Sequence, residues 1–176
     1  MLAVVPTALR HGTVFGLCVN RSAEDLPEPH QAGQIKPNLK RRTQIGGFSM
    51  NDQNENKRIV KAFLETVFNE HKVDEGMDAY VGDTYTQHNP GVADGVEAFR
   101  ENFRSFFAAH PDSYFDIKRM FCEGDHVTVH AHWTQGKDDR GSAVMDIFRL
   151  ENGRIVEHWD VIQPIPDEIA HDNTMF

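Results

Sequence analysis

Two aspartates lie inside apolar, strand-like segments near the C-terminal end of the 176-residue chain. The segments MDIF and HWDV place Asp146 and Asp160 between apolar residues. Aspartate is depleted from strands and is rarely buried without a partner. A pair of carboxylates among apolar neighbours suits general acid and base catalysis, because burial and mutual repulsion shift their pKa values apart. The two aspartates are therefore the first candidates for moving protons.

The turn between the two segments decides whether the aspartates share one face of a sheet. A two-residue Asn152-Gly153 loop would place Asp146 opposite Trp159 and put the aspartates on opposite faces. A three-residue loop with a bulge at Gly153 would place Asp146 opposite His158 and both aspartates on one face. We favour the three-residue loop, because the segment RLENGRI fits a type I turn followed by a glycine bulge.

The favoured register predicts a mixed apolar and polar face on the last two strands. Its members are Val144, Asp146, Phe148, Val156, His158, Asp160 and Ile162. The alternative is a solvated pair of acids. In that case Asp146 binds Arg149 or Arg154 on an exposed face, and Asp160 caps the end of its strand.

Histidines supply further candidate site residues. His130 and His132 form an H-x-H pair on one strand, a spacing that can supply two metal ligands. A cupin-type site would also need a glutamate four or five residues after His132, where Gly136 and Lys137 stand. We therefore predict no metal. We expect His132 to be a polar group inside a pocket, together with His88, which lies where a strand runs into a turn.

Composition excludes several classes of function. The chain has 18 Lys and Arg, 27 Asp and Glu, and a net charge of -9, so it lacks the basic surplus that nucleic-acid binding needs. No run of apolar residues approaches the roughly 18 of a membrane span. The two cysteines, Cys18 and Cys122, form no metal or redox motif and favour a reducing compartment. We expect a cytoplasmic protein without a membrane or nucleic-acid partner.

Charge and patterning divide the chain at Met50. Residues 1–49 carry more basic than acidic side chains, show no hydrophobic periodicity and are predicted to be a disordered N-terminal extension. The basic segment at residues 40–42 is a solvated linker or a localisation patch. Residues 50–176 carry nearly all of the acids and all of the regular patterning, and we expect them to form the folded domain.

The folded domain is predicted to be α+β. An amphipathic helix begins near Asp52, which with Glu55 forms a capping signal, and a short helix follows over residues 74–81. Asp94 starts a third, phenylalanine-rich helix that ends near residue 110. A short strand precedes that helix. From residue 113 the apolar period changes to two, which predicts four strands in an antiparallel meander around the helices. A pocket is expected at the open end of the curved sheet.

The segments YTQHNPGVADGVEAF and DIFRLENGRIVEHWDVIQP resemble the SnoaL-like polyketide cyclase family of the NTF2-like superfamily. The resemblance covers about residues 54–166 and implies a cone-shaped α+β fold. It also implies an aldol-type cyclase without metal or organic cofactor, in which Asp160 matches the acid or base of the last strand. His88 matches a polar pocket residue. Asp146 stands where the polyketide cyclases have a histidine, and this departure leaves the polycyclic substrate open.

From the residues and the resemblance together we predict acid/base chemistry on a small carbonyl substrate. The predicted catalytic residues are Asp160, Asp146, His88 and His132. The predicted substrate-binding residues are Phe63, Phe103, Phe148, His158 and Trp159. The same pocket would also suit an isomerase, a dehydratase or a hydrolase. A non-catalytic ligand-binding or dimerisation module is the alternative, since fold alone does not determine function. A homodimer is expected in either case.

Overall fold

The computed structural model of the chain describes residues 49–176, which contain three α-helices and a five-stranded sheet. The predicted N-terminal extension, residues 1–49, lies outside this range apart from Ser49, and so does the basic segment at residues 40–42. No helix within the described range is long and apolar enough to cross a bilayer.

The helical layer follows the predicted order. It comprises α1 (Met50–Leu64), a π-helical turn (Glu65–Asn69), α2 (Val73–Tyr80) and α3 (Val96–Ala109). The N-cap of α1 is Ser49 and not Asp52. The Ser49 hydroxyl accepts from the Asp52 backbone N–H, and the Asp52 carboxylate accepts from the Ser49 N–H. This reciprocal capping box satisfies two backbone donors at the start of α1.

The predicted cap of α3 is wrong. Gly95, with φ of 95°, precedes the helix, and no side chain among residues 49–176 caps it. The Asp94 carboxylate instead accepts a hydrogen bond of 2.8 Å from the backbone N–H of Gln87. Asp94 therefore holds the end of a strand that leads into the site and leaves the helix uncapped.

The sheet combines the predicted meander with one additional parallel pairing. Its strands are β1 (Val81–Gln87), β2 (Tyr114–Glu123), β3 (His126–Thr134), β4 (Ser142–Glu151) and β5 (Arg154–Pro164). The order in the sheet is β1-β5-β4-β3-β2. Strands β2 to β5 form the antiparallel meander. Strand β1 pairs parallel with β5 at the edge, which places residues near position 88 beside those near position 158.

The β4–β5 turn has two residues, so the predicted three-residue loop is wrong. Asn152 and Gly153 have φ values of 51° and 74°, as a type I′ turn requires. Glu151 consequently lies opposite Arg154. Glycine tolerates the positive φ at no steric cost, and asparagine tolerates it better than most residues.

The two aspartates nevertheless share one face, because the extra residue is in the strand and not in the turn. Leu150 pairs with Ile155 but Arg149 pairs with Glu157, so Val156 is a β-bulge. Beyond the bulge the two aspartates lie directly opposite each other, where the favoured register had placed Asp146 opposite His158. The predicted face is thus correct for six of its seven members, which pair as Val144–Ile162, Asp146–Asp160 and Phe148–His158. At the bulge, Ile155 and not the predicted Val156 pairs with the buried Leu150. The three-residue loop given as the reason for this face is wrong.

Aromatic side chains join the helical layer to the concave face of the sheet. The ring of Phe63 in α1 lies 6.0 Å from that of Phe99 in α3 and 5.9 Å from that of Phe148 in β4. Phe63 and Phe148 are at most 2% exposed. This packing buries the apolar stripes of the helices against the sheet and confirms the predicted α+β arrangement.

Candidate functional site

A cavity of about 100 Å³ lies between the helices and the concave face of the sheet. Aromatic and aliphatic side chains form most of its wall: Phe63, Leu64, Phe68, Tyr85, Val92, Phe99, Phe103, Phe106, Phe115, Trp133, Val144, Phe148 and Ile162. Its polar groups are Gln87, Asn89, Asn102, Asp146, His158 and Asp160. An apolar pocket with a few convergent polar groups is the usual form of a small-molecule site.

Six of the nine predicted site residues line this cavity. They are Asp146, Asp160, Phe63, Phe103, Phe148 and His158. The bulge in β5 and the alternation of side chains along β4 bring the two aspartates and the histidine to the same wall. The placement of these residues agrees with the sequence-based prediction, and their catalytic and binding roles stay predictions.

Asp146 and His158 form a buried pair. The Nε2 atom of His158 lies 3.1 Å from Oδ1 of Asp146, and the two side chains are 10% and 7% exposed, respectively. Burial raises the pKa of the Asp146 carboxyl; the hydrogen bond and charge of His158 oppose this, and the charge of Asp160 adds to it. Burial dominates, because a desolvated carboxylate is costly in an apolar wall.

Gln87 determines which nitrogen of His158 faces Asp146. The Oε1 atom of Gln87 accepts a hydrogen bond of 2.9 Å from the backbone N–H of Asn89, and it lies 2.9 Å from Nδ1 of His158. Because this oxygen only accepts, Nδ1 of His158 carries a proton. One further proton is then shared between Nε2 of His158 and the carboxyl of Asp146.

Asp160 is held by a different partner. The Nδ2 group of Asn89 donates a hydrogen bond of 2.5 Å to Oδ2 of Asp160. Asp160 also lines the cavity and is more exposed than Asp146. The two aspartates therefore differ in burial and in partner, which is the environment that separates an acid from a base.

The raised pKa of Asp146 predicts a pH-dependent stability. The protonated carboxyl stabilises the fold below the unfolded-state pKa of about 3.9, and this contribution is lost as pH rises through the higher folded-state pKa. Asp146→Asn mimics the protonated acid, because its amide donates to His158 without needing a proton. We expect the free energy of unfolding of the wild type to fall relative to that of Asp146→Asn, by up to about 1.4 kcal/mol per pH unit within this window.

Urea unfolding of both proteins across the acid and neutral range measures this difference. Asp138→Asn, a change at an exposed loop residue, is the control and should give a pH profile parallel to that of the wild type. Parallel profiles for the wild type and Asp146→Asn would contradict the raised pKa.

His88 and Trp159 do not line the cavity, so the structure corrects their predicted placement. The Nε2 atom of His88 lies 2.9 Å from Oε1 of Glu157, and its ring stacks on Trp159 with 4.7 Å between centroids. Alternation along the strands explains this, because Gln87 and His158 point inward and their neighbours point outward. Both predicted residues belong to the outer face of the sheet.

His132 is also on the outer face. Its Nε2–H donates a hydrogen bond of 2.8 Å to the carbonyl of Arg140, and its ring lies 4.7 Å from that of Phe176. Ala131 and Trp133, on either side of it, point inward. Successive side chains of β3 point to opposite faces of the sheet. Its apolar side chains occupy the inner face, so His132, which alternates with them, lies outside the cavity.

Gln87, Asn89 and Tyr85 are site residues that the sequence analysis missed. All three come from β1 or the turn after it. The phenol of Tyr85 is buried; burial, then the charges of Asp146 and Asp160, raise its pKa, so it remains neutral. Only the parallel pairing of β1 with β5 brings these residues to the acids, and nothing local in the sequence signals it.

The acids and the histidine also have the composition of a metal site. Within residues 49–176, Asp146, His158 and Asp160 are the one group of three potential ligands, each with an atom within 4.8 Å of the others. Carboxylate and imidazole groups suit divalent transition metals. The prediction that the protein binds no metal remains a prediction.

Comparison with known proteins gives a consistent assignment. A family model for the SnoaL-like domain matches residues 60–158. A candidate polyketide cyclase from Acidithiobacillus ferrooxidans is 27% identical, with a TM-score of 0.54 over 65% of this chain and 91% of that one. No curated protein shows significant similarity to the chain.

Two further solved structures share the fold at lower identity. An NTF2-like protein of unknown function from Cytophaga hutchinsonii is 18% identical, with a TM-score of 0.51 over 62% of this chain and 90% of that one. AclR, a candidate hydroxylase from Streptomyces galilaeus, is also 18% identical, with a TM-score of 0.54 over 65% of this chain and 82% of that one. At this identity the two neighbours show the fold alone.

Proposed function

The chain belongs to the SnoaL-like family and has the NTF2-like α+β fold predicted from its sequence, and from that premise we propose that it catalyses proton transfer next to a carbonyl group. The proposed outcome is an aldol-type cyclisation, or a related rearrangement, of a small carbonyl substrate without a cofactor. The observation that carries this proposal is the placement of Asp160 beside the Asp146–His158 pair in one aromatic-lined cavity.

Asp160 is the proposed base. Its carboxylate removes a proton from the carbon next to the carbonyl, and the electrons of that C–H bond move into an enolate. The Asp146–His158 pair supplies the proton that the enolate oxygen needs, which replaces the donors His88 and His132 expected from the sequence. The separate environments of the two acids support this division of roles.

Ring closure then needs little further chemistry. The enol carbon attacks a second carbonyl held nearby, the new alkoxide takes the proton from Asp160, and the enol proton returns to the Asp146–His158 pair. Protons balance over the cycle. The cavity contributes by holding the two carbonyl carbons close together, which can replace much of the entropic cost of the reaction. Its volume of about 100 Å³ favours a small substrate over a polycyclic one.

Deuterium exchange tests this proposal directly. Acetonylacetone is a small diketone with exchangeable protons next to both carbonyls. Its intramolecular aldol product is a hydroxymethylcyclopentanone with the hydroxyl and methyl groups on one ring carbon, which gives a methylcyclopentenone on loss of water. We expect the protein in D₂O to accelerate loss of the corresponding NMR signals over the buffer rate. An unchanged exchange rate for this and other small diketones would favour a non-catalytic binding module.

The outer face of the sheet supports the homodimer that we also propose. It exposes Phe121, Met145, Ile147 and Val161, with 59%, 41%, 37% and 70% of each residue accessible. Apolar patches of this kind mark interaction surfaces. Sedimentation equilibrium should give a dimer for the wild type and a monomer for Val161→Lys. Met50→Lys, an equally exposed apolar position on α1, should leave the dimer intact.

A further inference from the structure

The lining of the cavity combines aromatic rings with carboxylates. Of its 19 lining residues, nine are aromatic and two are aspartates. Among the residues that the structure describes, no lysine or arginine lines it. The nearest arginine in β4, Arg149, points to the outer face, where it pairs with Glu157 and Glu151. The cavity therefore contains negative charge without a fixed basic counterion.

The polar partners of the two acids do not neutralise both of them. Nδ1 of His158 donates to Gln87, and the 3.1 Å contact between Nε2 of His158 and Oδ1 of Asp146 holds one further proton. Oδ2 of Asp160 accepts a hydrogen bond from the neutral side-chain amide of Asn89. Its second oxygen, Oδ1, has no hydrogen-bond partner within residues 49–176. The buried phenol of Tyr85 stays uncharged in this environment. A carboxylate oxygen without a hydrogen-bond partner among the described residues thus belongs to a cavity whose lining is largely aromatic.

Aromatic faces and a carboxylate together form the chemistry that recognises organic cations. The face of an aromatic ring is electrostatically negative and attracts ammonium groups, and the attraction grows where water is excluded. The same wall disfavours an anion, because a buried carboxylate repels it and no basic side chain compensates for its desolvation.

We propose that this cavity binds small organic cations more tightly than neutral molecules of similar shape, and that it excludes anions of similar shape. Such a cation carries an ammonium group on an apolar body of about one ring. The ammonium binds at Oδ1 of Asp160 and the body packs against the aromatic wall. For the proposed reaction, an ammonium group at Oδ1 of Asp160 would occupy the base, so the substrate is narrowed to neutral carbonyl compounds and keto acids are excluded. The inference depends on the cavity of the proposed function but not on proton transfer.

Three ligands that share one benzene ring and carry a cationic, a neutral or an anionic group test the inference. Benzylammonium, benzyl alcohol and benzoate are titrated into the protein at neutral pH and followed by isothermal titration calorimetry. We expect benzylammonium to bind about tenfold or more tightly than benzyl alcohol, and benzoate to give no binding. Equal affinities for benzylammonium and benzyl alcohol, binding of benzoate, or no binding by any of the three would overturn the proposal.

Two variants locate the effect in the cavity. Asp160→Asn should bind benzyl alcohol and lose the preference for benzylammonium, whereas Asp138→Asn, at an exposed loop, should keep it. Circular dichroism confirms that each variant is folded. A preference that persists in Asp160→Asn would overturn the assignment to this cavity. Deuterium exchange into acetonylacetone, a neutral molecule, tests proton transfer independently of ligand charge. The proposed function can therefore hold even if the preference for cations is not found.

Discussion

Asp160→Asn should lower the rate of deuterium exchange into acetonylacetone by about 100- to 10,000-fold, the usual contribution of a positioned general base. The amide is nearly the same shape as the carboxylate, so the cavity keeps its volume. It cannot accept a proton from carbon. The rate is measured by the loss of proton NMR signal in D₂O at saturating and subsaturating substrate.

The controls for Asp160→Asn separate a lost base from a disturbed fold. Asp138→Asn changes the charge of the protein equally at an exposed position and should leave the exchange rate unchanged. Asp146→Asn, which keeps a donor next to His158, should retain more activity than Asp160→Asn. If Asp160→Asn exchanged acetonylacetone at the wild-type rate, Asp160 would not be the base.

Phe63→Ala should lower the free energy of unfolding by about 3–5 kcal/mol, the range for removing a buried phenylalanine. Phe63 is 1% exposed and contacts both α3 and β4 through the rings of Phe99 and Phe148. Its removal leaves an enlarged cavity, because three separate elements would have to move to close it. Urea unfolding measures the loss, and Phe63→Leu, with a smaller expected loss, serves if the alanine variant does not fold.

Phe121→Ala is the matched control for Phe63→Ala. Phe121 is 59% exposed on the outer face of the sheet, so the same atoms are removed from a partly solvated position. Because Phe121 belongs to the proposed dimer face, the comparison is made in the monomeric Val161→Lys background, where the effect of Phe121→Ala should stay at about 0.5 kcal/mol. If the two variants lost similar amounts of unfolding free energy, the aromatic core around Phe63 would contribute less to stability than expected.

The sequence predicted the folded part of the chain well where the signals were local. The apolar period of 3.6 in the helices and of two in the strands is a property of successive residues, and α2, α3 and the four-strand meander lie close to their predicted positions. The capping of α3 was predicted wrongly, and the π-helical turn before α2 was not predicted. A helix cap depends on which backbone N–H donates to a nearby polar side chain. The Asp94 carboxylate accepts from the backbone N–H of Gln87 and not from α3.

The site was predicted only in part, because local sequence patterns reveal some of its residues and not those brought in by distant segments. Asp146 and Asp160 belong to one hairpin, so their shared face follows from alternation along two neighbouring strands. The bulge at Val156 restores that face in a way that a turn motif does not reveal. Gln87 and Asn89 come from more than 50 residues earlier and reach the acids only through the parallel β1–β5 pairing. Parallel pairing of distant segments has no local sequence signature.

The position of β1 at the edge of the sheet limits the temperature range over which the site keeps its geometry. Edge strands and their flanking turns exchange backbone amide hydrogens through local opening, at a lower free energy than global unfolding. Detachment of the end of β1 would withdraw Gln87 and Asn89 while the hairpin that carries both acids stays folded. On heating, the orientation of His158 and Asp160 is then lost before the core melts. The temperature at which activity fades should follow the protection of the β1 amides and lie below the melting temperature of the domain.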